Sequence, residues 1–115
     1  MAAKQPRDSG GSPIPVLRFR SGGAQALSSV TSSTAQRTSA FTSGTQVITV
    51  TASTAMYFAT GDSSVTASSS SHYLESGIPM DMALGMDISS TTDYHTHASF
   101  IAVSSTGAVY ISERE

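Results

Sequence analysis

Asp93, His95 and His97 stand at alternate positions in "TTDYHTHASFIAV", residues 91–103, just ahead of an apolar run. On a β-strand such residues share one face, with about 6.5–7 Å between alternate positions. Two imidazoles at that spacing can converge on one metal ion, with Asp93 as a further ligand or as the carboxylate that orients a ring. One strand offers too few ligands for an octahedral ion, whereas three symmetry-related copies of His95 and His97 would offer six nitrogens. The plainer reading makes "TTDYHTH" a polar turn entering the last hairpin, with its histidines at a strand edge or subunit contact. Because only two histidines form the pattern, the plainer reading is preferred and no cofactor is expected.

Other chemistry is not expected. The sequence contains no GxSxG elbow, HExxH pair, phosphate-binding loop, dinucleotide fingerprint or EF-hand loop. Serines are so numerous that a Ser-His-Asp triple can be picked out by chance, and nothing in the chain orients one. The carboxylates are scattered singly, so a paired acid–base site is not visible either. Asp81 and Asp87 alternate with apolar residues and read as a solvated face. The methionines of that stretch read as core filler, and His72 has no evident partner. The chain is read as having no enzymatic activity.

Composition points to a structural β-protein. The chain has 115 residues, enough for one modest core, and no cysteine, which removes disulfides and thiolate metal sites. Ser and Thr make up about a third of it, and charged residues only 12%, about half the usual share of roughly a quarter. Thr, Val, Ile, Tyr and Phe favour strand over helix. So few surface charges suit a subunit of a permanent assembly better than a free monomer. The N-terminus lacks the apolar stretch of a secretory signal, and no run approaches a membrane span, so a soluble protein made in a cytoplasm is expected.

Charge divides the chain in two. Residues 1–20 carry Lys4, Arg7, Arg18 and Arg20 against Asp8, whereas residues 21–115 carry Arg37 and Arg114 against seven acids. A basic arm thus precedes an acidic body. Four basic residues with Phe19 as their only aromatic make neither a dense patch nor a stacking platform, so nucleic acid is an unlikely partner. Residues 1–23, bracketed by Gly-Gly pairs and holding three prolines, are expected to form an extended N-terminal arm. Its apolar stretch offers Ile14, Val16, Leu17, Arg18, Phe19 and Arg20 to a partner.

Residues 24–115 read as one β-domain. The segment 24–42 is ambiguous between weak helix and strand, and its Ser/Thr content favours one or two short edge strands. "TQVITVT" (45–51) and "AMYFAT" (55–60) are strands, followed by a "GD" turn and a short strand "SVTA" at 64–67. In "PMDMALGMDI" (79–88), Met80, Met82, Leu84, Met86 and Ile88 alternate with small or acidic residues, the clearest period-two pattern in the chain. "HASFIAVS" (97–104) and "AVYISE" (108–113) form a closing hairpin, the first apolar on both faces and therefore central in its sheet or at a subunit contact. Seven or eight such strands predict an all-β fold, an antiparallel β-sandwich or a jelly-roll-like barrel with the extended arm.

The stretch from "QVITVTASTAMYFATGDSSVTASSSSHYLESGIPMDMALG" to the final "STGAVYISERE" resembles small β-sandwich proteins encoded among the structural genes of tailed bacteriophages. Gly61, the serine loop at 68–71, Leu74, Gly77, Pro79, Gly85, Gly107 and Glu113 stand at the matching turns and strand ends. The likeness covers roughly residues 45–115 and contains no catalytic motif; "DYHTH" lies outside it. It implies a virion component, a capsid decoration or cement subunit that stabilises the head. The implied partners are the major capsid protein or other virion proteins, with further copies of the chain in a homo-oligomer, a trimer being favoured. Separately, His95 and His97 resemble the HxH iron site of trimeric bacteriophage tail spikes, which implies the alternative of a neck, spike or tail-fibre module with a metal ion on a threefold axis.

Overall fold

A computed structural model describes residues 18–85 and 94–114. Its strands are β1 (Phe19–Val30), β2 (Gln36–Arg37), β3 (Val47–Ala52), β4 (Met56–Gly61), β5 (His72–Leu74), β6 (Met80–Ala83), β7 (His97–Ala102) and β8 (Gly107–Arg114). No helix occurs among the described residues, and none is therefore long and apolar enough to cross a membrane. Two antiparallel sheets of four strands, ordered β1-β8-β3-β6 and β2-β7-β4-β5, pack as a β-sandwich. The pairs β1–β8, β2–β7, β3–β6 and β4–β5 are nested, the first strand with the last and the innermost two with each other.

Period-two patterning decides which side chains meet between the sheets. Ile48, Val50 and Ala52 of β3 point inward, with Val47, Thr49 and Thr51 outward. Val109, Ile111 and Glu113 of β8 continue that inner face, and Met82 of β6 joins it. From the other sheet come Met56, Leu74, Ala98, Phe100 and Ala102, all in one hydrophobic cluster with Phe41 and Leu84 from the loops. The alternation of Met80, Met82 and Leu84 with Asp81 and Ala83 holds as expected, although β6 ends at Ala83. Leu84 then donates its N–H to the Gln46 carbonyl at 2.7 Å. Residues 86–88 of the expected strand lie outside the described residues.

The ambiguous segment forms strands, and both lie at sheet edges. β1 is longer than expected, and its register with β8 shifts twice. Gly22 (φ 75°) and Ser29 (φ 57°) stand in those two shifts, the left-handed backbone typical of a bulge. Gln36 pins the second shift by donating to the carbonyls of Ser28 and Ser29 at 3.1 and 3.0 Å.

Two expected boundaries differ. Phe19–Gly23, assigned to the arm, are the first residues of β1, because Phe19 finds a partner in Arg114 at the far end of the chain. Residues 1–17, including Ile14, Val16 and Leu17, lie outside the described residues. The expected strand at 64–67 is a loop. Asp62 Oδ1 accepts from both the N–H and the hydroxyl of Ser64 at 2.9 and 2.6 Å, an Asx turn that redirects the chain. The Ala67 N–H then bonds to Ser99 Oγ rather than to a neighbouring strand.

Candidate functional site

His95 and His97 lie where the chain enters β7. Residues 94–96 are not strand, so the strict alternation that would align positions 93, 95 and 97 is absent, and Asp93 lies outside the described residues. His95 is held by its backbone N–H on the Leu84 carbonyl at 2.7 Å and by its Nδ1 against Thr60 Oγ1 at 2.6 Å. Thr60 pairs with the buried Ala98, so this contact lies on the inner side of β4. His97 pairs with Gly61 on the opposite, outer side, and its Nδ1 meets Thr96 Oγ1 at 2.8 Å. The two rings are therefore held on different sides of the sheet rather than converging. Among the described residues, no group of three or more His, Cys, Asp or Glu side chains could hold a metal ion.

Around His97 the outer side is charged. Hydrogen bonds from the Ser64 hydroxyl and N–H hold the Asp62 carboxyl below its ordinary value of 3.8, and the nearby His97 and Arg37 act in the same direction more weakly. Arg37 Nε donates to the Val65 carbonyl at 2.8 Å, closing the loop over the sheet. A threonine hydroxyl against an imidazole, as at Thr60 and His95, is half of an activated-nucleophile geometry. Among the described residues no carboxylate hydrogen-bonds to either histidine; each Nδ1 meets a threonine hydroxyl instead.

A second polar cluster was not singled out in the sequence. Glu113 carries a carboxylate, yet its side chain points between the sheets and is only 4% exposed. Its Oε1 accepts from the Thr42 N–H at 2.7 Å and the Thr45 hydroxyl at 2.6 Å, while Oε2 faces the Thr42 hydroxyl at 3.3 Å. Three donors satisfy a carboxylate whose burial would otherwise be costly. Gly23 makes room for it: a Cβ there would stand 2.9 Å from Glu113 Cβ. Burial raises the Tyr94 phenol above its ordinary value, the Glu113 charge adds to this, and Arg20 opposes it. The signal was present in "AVYISE", where Glu113 falls in phase with Val109 and Ile111. This cluster ties a loop to a strand.

Of the arm residues, Phe19 is 62% exposed and lies under the Arg114 guanidinium, 5.1 Å from its centre, while Arg18 is exposed and Arg20 half-buried. No protein-family model, curated protein or solved structure matches this chain.

Proposed function

We propose that this chain is a non-enzymatic virion structural protein of a tailed bacteriophage, a decoration or cement subunit that binds the assembled capsid and stabilises the head. The observation that carries the reading is the nested strand order, β1-β8-β3-β6 against β2-β7-β4-β5. We read it as a jelly roll, an eight-stranded double sheet that recurs in viral capsid domains and also in lectins and cupins. Fold alone does not assign function. The capsid reading is preferred because the space between the sheets is occupied by Phe100, Ile48, Met56, Leu74 and Ile111, where a cupin would hold its ligand. The turn pattern shared with phage structural proteins and the uneven charge of the chain point the same way.

In this reading residues 1–17, with Ile14, Val16 and Leu17, run from the body onto the major capsid protein, and Arg18, Phe19 and Arg20 stand at the junction. Subunits that bind only the assembled shell stabilise it by mass action. Mass spectrometry of virions purified from the phage that encodes the chain tests the assignment, with a copy number comparable to that of the major capsid protein expected. A handful of copies per particle would place the protein in the neck, spike or fibre instead. Deleting residues 1–17, and not 1–23, removes the arm without cutting into β1. The truncated body is expected to keep its melting temperature and lose capsid binding; undiminished binding would sink the anchoring role.

A further inference from the structure

The two ends of the sandwich differ in chemistry. The antiparallel registers bring the loops 31–35, 53–55, 75–79 and 103–106 to one end, each crossing there from one sheet to the other. They are fastened to one another: Thr54 Oγ1 donates to the Ser105 carbonyl at 3.0 Å, and Ser76 Oγ to the Ser53 carbonyl at 3.1 Å. Most of their residues are serine or threonine, and Glu75 is their only charged residue. Arg18, Arg20, Arg37, Asp62, Glu113 and Arg114 belong to the opposite half, where β1 begins and β8 finishes.

A corner of aromatic rings stands beside the hydroxyl-rich end. Leu74, Met56, Phe100 and Ala102 point between the sheets, so Tyr73, Tyr57 and Ile101, in one row across β5, β4 and β7, point outward. The Tyr57 and Tyr73 rings have centroids 6.2 Å apart and planes at 69°, so one forms a floor and the other a wall. Tyr73 is 49% exposed, and its hydroxyl points to Glu75 Oε2 at 3.5 Å. Glu75 Oε1 accepts from the Ser76 N–H at 3.2 Å, which holds the exposed carboxylate at the rim of the corner. A carboxylate has about four acceptor positions, so both oxygens retain room for further donors.

We propose that this corner binds a neutral hexopyranose, such as the terminal sugar of a glycan. Each part of the corner matches a part of that ligand. A pyranose carries C–H groups on its ring faces, and these pack on the negative face of an aromatic ring. Its edge carries hydroxyls, two neighbouring ones of which can donate to the two oxygens of one carboxylate. Such charge-assisted bonds are about twice as strong as neutral ones. An anionic ligand would meet the Glu75 charge, and the four loops offer no Lys or Arg to offset it. Size argues the same way. An aromatic side chain buries about 150–250 Å² when fully covered, so the pair falls short of the ~800 Å² per partner of a standard protein interface.

A site open on one side holds its sugar weakly, with a Kd on the order of 1 mM. Presentation of many copies together would raise the strength by avidity. The inference concerns the free chain and does not depend on the virion assignment. Under that assignment the corner lies away from the end at which the chain enters β1, and so away from the anchored side.

Aromatic carbon–proton NMR spectra of the full chain test the proposal. The probes are the methyl glycosides of glucose, galactose, mannose and N-acetylglucosamine, each titrated to about 50 mM to exceed the expected Kd. Saturable shifts of the Tyr57 and Tyr73 ring signals with at least one glycoside are expected, while Tyr110, 56% exposed on the other sheet, stays unmoved. Tyr73→Thr keeps a strand-favouring residue and should weaken binding about tenfold or more, whereas Tyr110→Thr should leave it unchanged. Glu75→Gln, in a loop, retains one acceptor oxygen and should weaken binding a few-fold. Circular dichroism melts identify the variants that remain folded. No binding of any of the four glycosides to the unmodified chain, or binding that both Tyr73→Thr and Glu75→Gln leave intact, would overturn the proposal. So would saturable binding of tetramethylammonium in place of the sugars, which would make the corner a cation site.

Discussion

The Thr45 hydroxyl donates to Glu113 Oε1 at 2.6 Å across 68 residues of sequence. With the two contacts from Thr42, it fastens the loop between β2 and β3 to the last strand, next to the buried Phe41. Glu113→Ala leaves the Thr42 N–H without its acceptor and opens space between the sheets. A loss of about 2–4 kcal/mol in urea denaturation is expected, against about 1 kcal/mol for Thr45→Ala, which removes a single donor. Equal losses for both variants would mean that the carboxylate is not the centre of this contact.

Gly23 answers Glu113 from the neighbouring strand. A methyl group at that position would stand 2.9 Å from Glu113 Cβ and 3.1 Å from Arg20 Cβ, neither of which is the free end of a flexible chain. Gly23→Ala is therefore expected to cost about 1–3 kcal/mol through overcrowding. The gain in stability that Gly→Ala brings by restricting the unfolded chain should be outweighed. A stabilised variant in the same denaturation assay would show that β1 can move aside.

Asp62 titrates below 3.8 because Ser64 donates to its charged form. A carboxyl with a depressed folded value contributes stability that is present above its unfolded pKa and lost as pH falls through the folded one. The contribution should thus persist at neutral pH and disappear only in acid below the ordinary carboxylate range. Ser64→Ala removes the hydroxyl, the largest cause, and should move the Asp62 midpoint up toward 3.8 in a carboxyl-detected NMR titration. An unmoved midpoint would assign the shift to the backbone N–H and the neighbouring charges instead.

Much of the fold is written locally. The alternation of Ile48 and Val50 with Thr49, and of Met80 and Met82 with Asp81, marks strands and their buried faces, because a half-buried sheet demands period two. Apolar residues on both faces of "HASFIAVS" suit the interior position that β7 occupies, but the expected hairpin with "AVYISE" does not form, because β7 and β8 belong to different sheets. "SVTA" shows the limit. Its residues have strand propensity, yet Asp62 captures Ser64 and Ser99 captures Ala67, and these side-chain bonds replace a strand partner.

Sequence by itself determined an all-β chain, sandwich or barrel, with a basic beginning, no cysteine and no recognisable catalytic motif. Tertiary structure alone decided that β1 pairs with β8, that Glu113 lies buried against Thr42 and Thr45, and that His95 and His97 are held on opposite sides of β4. The reason is range. Alternation and turn chemistry depend on residues a few positions apart, whereas strand partners and the burial of a single carboxylate depend on residues brought together from opposite ends of the chain.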